Sequence, residues 1–206
     1  MSGDTDRRAG TRVRRLRHHR HHSSPTRIAV TGHRDLALET ASLVDAEVRA
    51  VLRPYAPGFV GISCLADGAD QIFATAVLDL GGTLEVIVPA HDYGEASFHT
   101  LLRRAREIRR LPFDTSSPRA YAAANELLIE SADLLVAVWD GCPARGEGGT
   151  AEAVEAATRR RVPVRVIWPP GAVRGHRNAA PESPGTSPGD EEATRGEPPE
   201  RWERRE

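Results

Sequence analysis

The chain has 206 residues, of which 39% are hydrophobic and 28% are charged, and its formal net charge is −1. This length is enough for one domain with a hydrophobic core, and a charge near zero provides no global attraction to nucleic acid or to membranes. All 28 residues counted as Lys or Arg are arginines, which excludes a Schiff-base lysine and a P-loop lysine. The two cysteines, Cys64 and Cys142, lack C-x-x-C spacing and fit a reducing compartment.

Both ends of the chain differ in composition from the middle. Residues 1–25 are rich in Arg and His, and residues 171–206 are rich in Pro, Gly and charged side chains, so we expect both to be disordered. The histidines at 18–22 have no Cys or carboxylate at metal-ligand spacing, so we expect no metal site there or elsewhere. We also expect no cofactor. No apolar run approaches the ~18 residues that span a bilayer, and no apolar stretch of a secretory signal follows the basic start. We therefore expect a cytoplasmic protein with no membrane partner.

Strand and helix patterns alternate over the intervening residues, 26–170. Short β-branched or apolar runs bounded by Gly or Pro predict strands, and apolar residues at helical spacing predict helices. In chain order the predictions are strand 27–31, helix 36–52, strand 59–63, helix 67–80, strand 84–88, helices 95–110 and 119–131, strand 134–139, helix 150–160 and strand 163–168. This alternation indicates βαβ units. The predicted fold is α/β, a three-layer Rossmann-like domain with a mainly parallel five-stranded sheet.

In such a sheet the ligand site lies beyond the carboxyl ends of the strands, where the strand order reverses. The loop after the first predicted strand contains Thr31, Gly32, His33 and Arg34. Gly32 would allow a sharp turn close to a ligand, and Arg34 would pair with a phosphate. The alternative is a plain strand-to-helix turn with Asp35 as the N-cap.

The loop after the second predicted strand contributes Ser63, Gly68 and Asp70 as candidate ligand-binding residues. Gly is a poor helix former, so Gly68 at the start of a predicted helix suggests the close approach of a ligand. Asp67 and Asp70 have spacing similar to that of a capping box, and capping explains both carboxylates equally well.

The loop that begins at Asp140 is the most informative of the three. It is rich in glycine and enters a helix at Gly148, Gly149 and Thr150. The N–H groups and the dipole at a helix start favour an anion, so we expect a phosphate here, with Thr150 as a hydroxyl donor or as the N-cap. Glu152 in the first turn either stabilises the helix dipole or acts on a ribosyl ligand. The Walker pattern is absent, and no G-x-G-x-x-G follows the first strand.

Three motifs carry a resemblance to a known group of proteins. They are Val-Thr-Gly-His-Arg at 30–34, Ala-Asp-Gly-Ala-Asp at 66–70 and Gly-Gly-Thr-Ala-Glu at 148–152. In order and in position after strands they resemble the SLOG superfamily, which includes the Lonely Guy phosphoribohydrolases and the DprA-type proteins. The resemblance covers about 27–168 and implies a Rossmann-like fold with a pocket for nucleotides or their derivatives. It also implies phosphate contacts at Gly148, Gly149 and Thr150 and is compatible with a homodimer.

Residues 129–157 are also similar to nucleoside deoxyribosyltransferases. A buried strand, an Asp and a Gly-Thr-x-Glu element follow one another in the same order in both. This second resemblance implies that Glu152 attacks the anomeric carbon of a nucleoside, with Asp140 as its neighbour.

Three functions are open at this point, and the one we least expect is the handling of single-stranded nucleic acid, by analogy with the DprA type and with the basic N-terminal arm. The one we favour is binding of a nucleotide or ribose-phosphate-derived small molecule at the carboxyl ends of the strands, as a ligand-sensing module without turnover. The alternative is an N-glycosidase or ribosyltransferase acting on nucleoside monophosphates or nucleosides, with Glu152 and Asp140 as catalytic carboxylates. Nucleic acid is not an expected partner, because only 5% of the residues are aromatic and the basic arm has none for base stacking.

Overall fold

Apolar runs and amphipathic segments form alternating strands and helices in the computed structural model, which describes residues 24–94, 96–143 and 148–175. Most of the predicted N-terminal arm and the tail beyond residue 175 lie outside the described residues. In chain order the elements are β1 (Arg27–Gly32), α1 (Leu38–Leu52), a short 3₁₀ helix (Arg53–Tyr55), β2 (Val60–Ser63), α2 (Ala69–Asp79), β3 (Thr83–Val88), α3 (Ala96–Leu102), β4 (Glu107–Arg110), α4 (Pro118–Glu130), β5 (Leu134–Val138), α5 (Thr150–Arg159) and β6 (Val164–Ile167).

The six strands form one parallel sheet in the order β4-β3-β2-β1-β5-β6. β1 and β5 lie side by side, with Ile28 opposite Leu134 and Gly32 opposite Val138. The chain runs outward from β1 to β4 and then returns to β5 on the other side of β1. Because parallel strands need crossover connections, helices cover both faces of the sheet. The strand order therefore reverses between β1 and β5.

Alternate residues of β1 enter two different cores, as the period of two in a strand requires. Ile28 and Val30 pack with buried residues of α1 and α2, whereas Ala29 packs with buried residues of α4 and α5. Helices thus sandwich the sheet in three layers. The predicted α/β, Rossmann-like architecture is confirmed.

The sheet has one strand more than predicted. The predicted helix 95–110 ends as α3 at Leu102, and residues Glu107–Arg110 form the edge strand β4 beside β3. The sequence of β4 is Glu-Ile-Arg-Arg, and its one apolar side chain, Ile108, is 39% exposed. Charged side chains are common on edge strands because they discourage further pairing. This polar composition hides the period of two and explains the wrong prediction.

The described chain also continues five residues beyond the predicted domain boundary. Residues 171–175 return to the loop after β1, where Leu36 and Arg174 form an isolated antiparallel bridge. The Gly175 N–H donates to the Asp35 carbonyl at 2.9 Å. These residues, predicted as the start of a disordered tail, pack on the domain because their backbone polar groups find partners there.

Among residues 24–94, 96–143 and 148–175, no helix has both the length and the apolar character needed to cross a membrane.

Gly61 in the middle of β2 has no room for a side chain. A Cβ there would lie 2.4 Å from Val77 Cγ2 and 3.1 Å from Phe73 Cε1. We expect Gly61→Ala to lower the free energy of unfolding by about 1–3 kcal/mol through overpacking, measured by urea denaturation. Adding Val77→Ala should recover part of this loss, because the new methyl then fills space that the isopropyl group leaves. Losses that simply add in the double variant would contradict this explanation.

Candidate functional site

The reversal of strand order between β1 and β5 opens a crevice at the carboxyl ends of these strands, where the following loops diverge. The loops after β1 and β5 border the crevice, and the loop after β2 lies next to the β1 loop. All three loops predicted to bind a ligand therefore share one edge of the sheet.

Gly32 and Gly68 bring the first two loops into contact. A Cβ on Gly32 would lie 2.5 Å from Ala69 Cβ, and a Cβ on Gly68 would lie 2.3 Å from the Arg34 carbonyl oxygen. Gly68 also has a φ of +77°, which favours glycine. The Ala69 N–H donates to the His33 carbonyl at 3.2 Å. The backbone of the β1 loop therefore makes the close approach that Gly68 permits. Contact between Gly68 and a ligand stays a prediction.

Asp70 is buried in the first turn of α2 and is only 5% exposed. Its Oδ2 accepts hydrogen bonds from Ser63 Oγ at 3.0 Å and from the Cys64 N–H at 3.1 Å. The predicted capping box does not form, because Gly68 is the N-cap and Asp70 bonds to the β2 loop instead. Burial raises the pKa of the Asp70 carboxyl to about 6, while these hydrogen bonds and the charge of Arg34 limit the rise.

Arg34, which is exposed, reaches from the β1 loop to the first turn of α4. Its guanidinium carbon lies 4.9 Å from the centre of the Tyr121 ring, within range of a cation–π interaction. The same tyrosine contacts the entry to α5, since a Cβ on Gly148 would lie 2.8 Å from Tyr121 Cβ. One turn further along α4, Asn125 Nδ2 donates to the Gly148 carbonyl at 3.1 Å. α4 thus holds the Gly-rich entry of α5 beside Arg34.

Tyr93, which follows β3, completes this group. The centres of the Tyr93 and Tyr121 rings are 6.1 Å apart, in an edge-to-face arrangement. Burial and the nearby charge of Asp70 raise the pKa of the Tyr93 hydroxyl well above its usual value, so it stays protonated and can donate a hydrogen bond. We refer to Arg34, Tyr93, Tyr121 and Gly148 as the Arg34 cluster.

A pocket of about 200 Å³ lies next to Tyr93, at the carboxyl ends of β3 and β4. Its lining combines apolar side chains with His91, His99 and Arg110. The pocket lies on the β3–β4 side of the sheet, away from the crevice between β1 and β5.

A second group of side chains lies at the ends of β1 and β5. Asp140 Oδ1 is 3.2 Å from His33 Nε2. Arg174 donates from Nη2 to Asp140 Oδ1 and from Nε to Asp140 Oδ2, each at 2.5 Å, and its Nε also lies 3.1 Å from His33 Nε2. Burial alone would raise the pKa of the Asp140 carboxyl, but the hydrogen bonds from Arg174, from the Cys142 N–H and from His33 hold it well below its usual range. At neutral pH Asp140 is therefore an acceptor of hydrogen bonds and not a proton donor.

Glu152, predicted as a catalytic carboxylate, is exposed in the first turn of α5. Its Oε2 accepts the Gly148 N–H at 2.8 Å, a contact that stabilises the start of its own helix. The N-cap of α5 is Gly149, and Thr150 is the first helical residue. Catalysis by Glu152 and phosphate binding by Gly149 and Thr150 stay predictions.

Two further residues predicted to belong to the β1 loop, Thr31 and Asp35, have defined positions in the structure. Thr31 lies within β1 opposite Ala137 and is only 8% exposed. Asp35 is not the N-cap of α1, which is Ala37. Among residues 24–94, 96–143 and 148–175, no group of three or more His, Cys, Asp or Glu side chains could hold a metal ion.

Three contacting side chains were not found by sequence reasoning: Tyr121, Asn125 and Arg174. Tyr121 does carry a signal, because it stands alone among small residues in Ala-Tyr-Ala-Ala-Ala, where the helix needs no large apolar side chain. Arg174 carries none, since it lies in a segment whose composition is that of a flexible tail.

These features define a Rossmann-like α/β domain with polar groups at its strand-order reversal, and solved structures share this fold. The X-ray structure of DNA processing protein A (DprA) from Streptococcus pneumoniae matches with a TM-score of 0.57 and 19% identity, over 70% of this chain and 51% of that chain. DprA from Helicobacter pylori matches with a TM-score of 0.55 and 17% identity, over 74% of this chain and 70% of that chain. The chain thus spans about half the length of the first of these proteins.

A molybdenum cofactor carrier protein from Chlamydomonas reinhardtii is also similar, at 17% identity over 69% of this chain and 75% of that chain. Its TM-score is 0.48. No protein-family model and no curated protein matches the chain.

The predicted resemblance to DprA-type proteins is confirmed at the level of the fold. The similarity to nucleoside deoxyribosyltransferases gains no support and stays a prediction. The expectation that nucleic acid is not a partner is wrong, because the Helicobacter pylori protein of this fold is described as binding single-stranded DNA. That expectation relied on the aromatic content of the whole chain. A fold can gather a few aromatic residues at one edge, as it does with Tyr93 and Tyr121.

The raised pKa of Asp70 predicts a specific pH dependence of stability. A carboxyl that is protonated more readily in the folded protein than in the unfolded chain favours folding at low pH, and this contribution is lost as the pH rises from about 4 to about 6. Compared with Asp70→Asn, the wild type should therefore lose up to about 3 kcal/mol of unfolding free energy over this range, as followed by urea denaturation at several pH values. Parallel pH profiles for the two proteins would contradict the raised pKa.

Proposed function

We propose that the chain binds a nucleotide, or another ribose-phosphate-derived ligand, at the carboxyl edge of its sheet and that it acts as a ligand-sensing module. The observation that carries this proposal is the Arg34 cluster. Four separate segments supply an exposed guanidinium, two tyrosine rings and the glycine-rich start of a helix to one place.

The chemistry of the Arg34 cluster suits the two parts of a nucleotide. Arg34 provides planar N–H donors for a phosphate, and the start of α5 adds backbone N–H groups and the positive end of a helix dipole. Gly148, with a φ of +76°, has no side chain, and this lets the start of α5 pack directly against Tyr121. Tyr93 and Tyr121 provide aromatic faces and edges for a planar base.

The two predicted catalytic carboxylates support binding more than turnover. Asp140 is held by Arg174 and His33, and Glu152 accepts a hydrogen bond from Gly148. A nucleophile or a general acid needs a carboxyl group that is directed at the ligand and available to it. A sensing role needs neither carboxylate to react.

Single-stranded nucleic acid is a second candidate ligand. Its phosphates and bases would meet the same combination of Arg and Tyr side chains, because base stacking on aromatic rings and Arg contacts with the backbone do not depend on sequence. The shared fold with a DprA described as binding single-stranded DNA favours this candidate.

Mononucleotide binding can be tested by thermal shift. We expect millimolar AMP, GMP, CMP or UMP to raise the melting temperature of the wild type by a few degrees. Arg34→Ala should weaken this binding at least about tenfold, because it removes a charge-assisted hydrogen-bond donor. Arg49→Ala is the matched control, since it removes an equal charge whose partners, Asp45 and Asp79, belong to α1 and α2.

Chromatography of the same mixtures tests for turnover by looking for free base. We expect none. Release of base that disappears in Glu152→Gln, which keeps an oxygen to accept the Gly148 N–H, would contradict a sensing role and support the N-glycosidase or ribosyltransferase. No shift with any nucleotide would contradict the proposed binding.

Fluorescence anisotropy with a labelled oligothymidine tests the second candidate on the full chain. If single strands bind at the Arg34 cluster, Arg34→Ala should weaken the affinity at least about tenfold, whereas Arg49→Ala should change it little, at one fixed salt concentration. Equal losses in the two variants would indicate non-specific attraction to positive charge and would contradict a site at the cluster.

A further inference from the structure

Residues 171–175, which we call the strap, join the two loops that border the crevice. On one side, the strap pairs with the β1 loop through the Leu36–Arg174 bridge and the hydrogen bond from Gly175 to Asp35. On the other side, Arg174 donates to both carboxylate oxygens of Asp140, which follows β5. The strap therefore lies where ligands bind in sheets of this topology.

Polar contacts hold the strap in place, and the strap buries little apolar surface. The Val173 N–H donates to Thr40 Oγ1 at 2.9 Å, the Thr40 hydroxyl lies 3.1 Å from the Val173 carbonyl, and the Val173 side chain is 62% exposed. Gly171, at the start of the strap, has a φ of +83° and open space around it, which suits a pivot. Segments with few buried apolar contacts open locally at a low cost in free energy.

The position of Arg174 also indicates what its partner Asp140 can bind. The guanidinium presents two neighbouring N–H donors to the two oxygens of the carboxylate. The vicinal hydroxyls of a ribose present two neighbouring O–H donors, and carboxylates at the ends of Rossmann strands accept such hydroxyls. His33, 3.2 Å from the same carboxylate, adds a ring nitrogen to this subsite.

We infer that Asp140 and His33 form a subsite for the sugar hydroxyls of the ligand, and that Arg174 of the strap occupies this subsite until the ligand displaces it. The inference rests on the proposed binding of a ribose-phosphate ligand and adds its regulation. Arg34, the group proposed to bind phosphate, directly follows His33 in the chain, so one loop carries both proposed subsites. Ligand binding and release of the strap are thereby coupled.

Hydrogen exchange without any ligand tests whether the strap detaches. In Arg174→Ala we expect the amides of Val173 and Gly175 to exchange at least about tenfold faster than in the wild type, with the melting temperature lowered by no more than a few degrees. Arg49→Ala, which breaks two ion pairs elsewhere, should leave these amides unchanged. Unchanged exchange, or a cooperative loss of the whole fold in Arg174→Ala, would overturn the inference.

Calorimetric titration tests the competition, with AMP, GMP, CMP and UMP and their 2′-deoxy counterparts as probes. If the closed state, in which Arg174 contacts Asp140, predominates about ten to one in the wild type, Arg174→Ala should bind ribonucleotides about tenfold more tightly, because this state no longer competes with the ligand. The 2′-deoxynucleotides should gain less, because they lack one of the two hydroxyls. If the wild type binds ribonucleotides as tightly as Arg174→Ala, or more tightly, the inferred competition by the strap is overturned and the proposed binding is not. Absence of binding in both proteins would overturn the proposed function, and the competition with it.

Discussion

The start of α2 lies directly against the backbone of the β1 loop, and the arrangement of the candidate site depends on this contact. Only glycine fits at Gly32 and at Gly68, where a Cβ would lie within 2.5 Å of a neighbouring atom. Because Asp70 follows within the same helical turn, the contact buries its carboxyl group, and burial in turn raises its pKa. The contact also fixes the backbone from which Arg34 extends towards α4. The two glycines thus provide the geometry on which the exposed cation depends.

Much of the fold could be predicted from the sequence because the buried strands differ so strongly from their surroundings. The β5 run Leu-Leu-Val-Ala-Val is apolar throughout, as expected of a strand that is buried on both faces of a parallel sheet. The failures have a common physical cause. β4 is an exposed edge strand whose pairing with β3 comes from its backbone, and residues 171–175 are held by backbone and Arg174 contacts to distant loops. Neither leaves a hydrophobic pattern to detect.

The same distinction applies to the candidate site. Arg34, Gly148 and Asp140 could be found because glycine and charge follow predicted strands. Their partners could not be, since Tyr121 and Arg174 reach them from elements far away in the chain. A residue's position at a strand end follows from local pattern, whereas the identity of the group it contacts depends on how helices pack across the sheet. Sequence reasoning therefore locates the edge of the sheet better than it assigns roles to side chains.

A module that senses a ligand needs a part with two states that respond differently to occupancy. A rigid site would bind without signalling. In the Arg34 cluster, α4 holds the start of α5 through the hydrogen bond from Asn125 to Gly148. The segment that contains Arg174 differs, because polar contacts to Asp140 and to Thr40 hold it and its apolar side chain is exposed. A ligand that takes the place of Arg174 exchanges an ion pair for hydrogen bonds from neutral hydroxyls, so its phosphate and base contacts must supply the difference in free energy. The proposed sensing therefore requires the ion pair at Asp140 to be replaceable, and not merely strong.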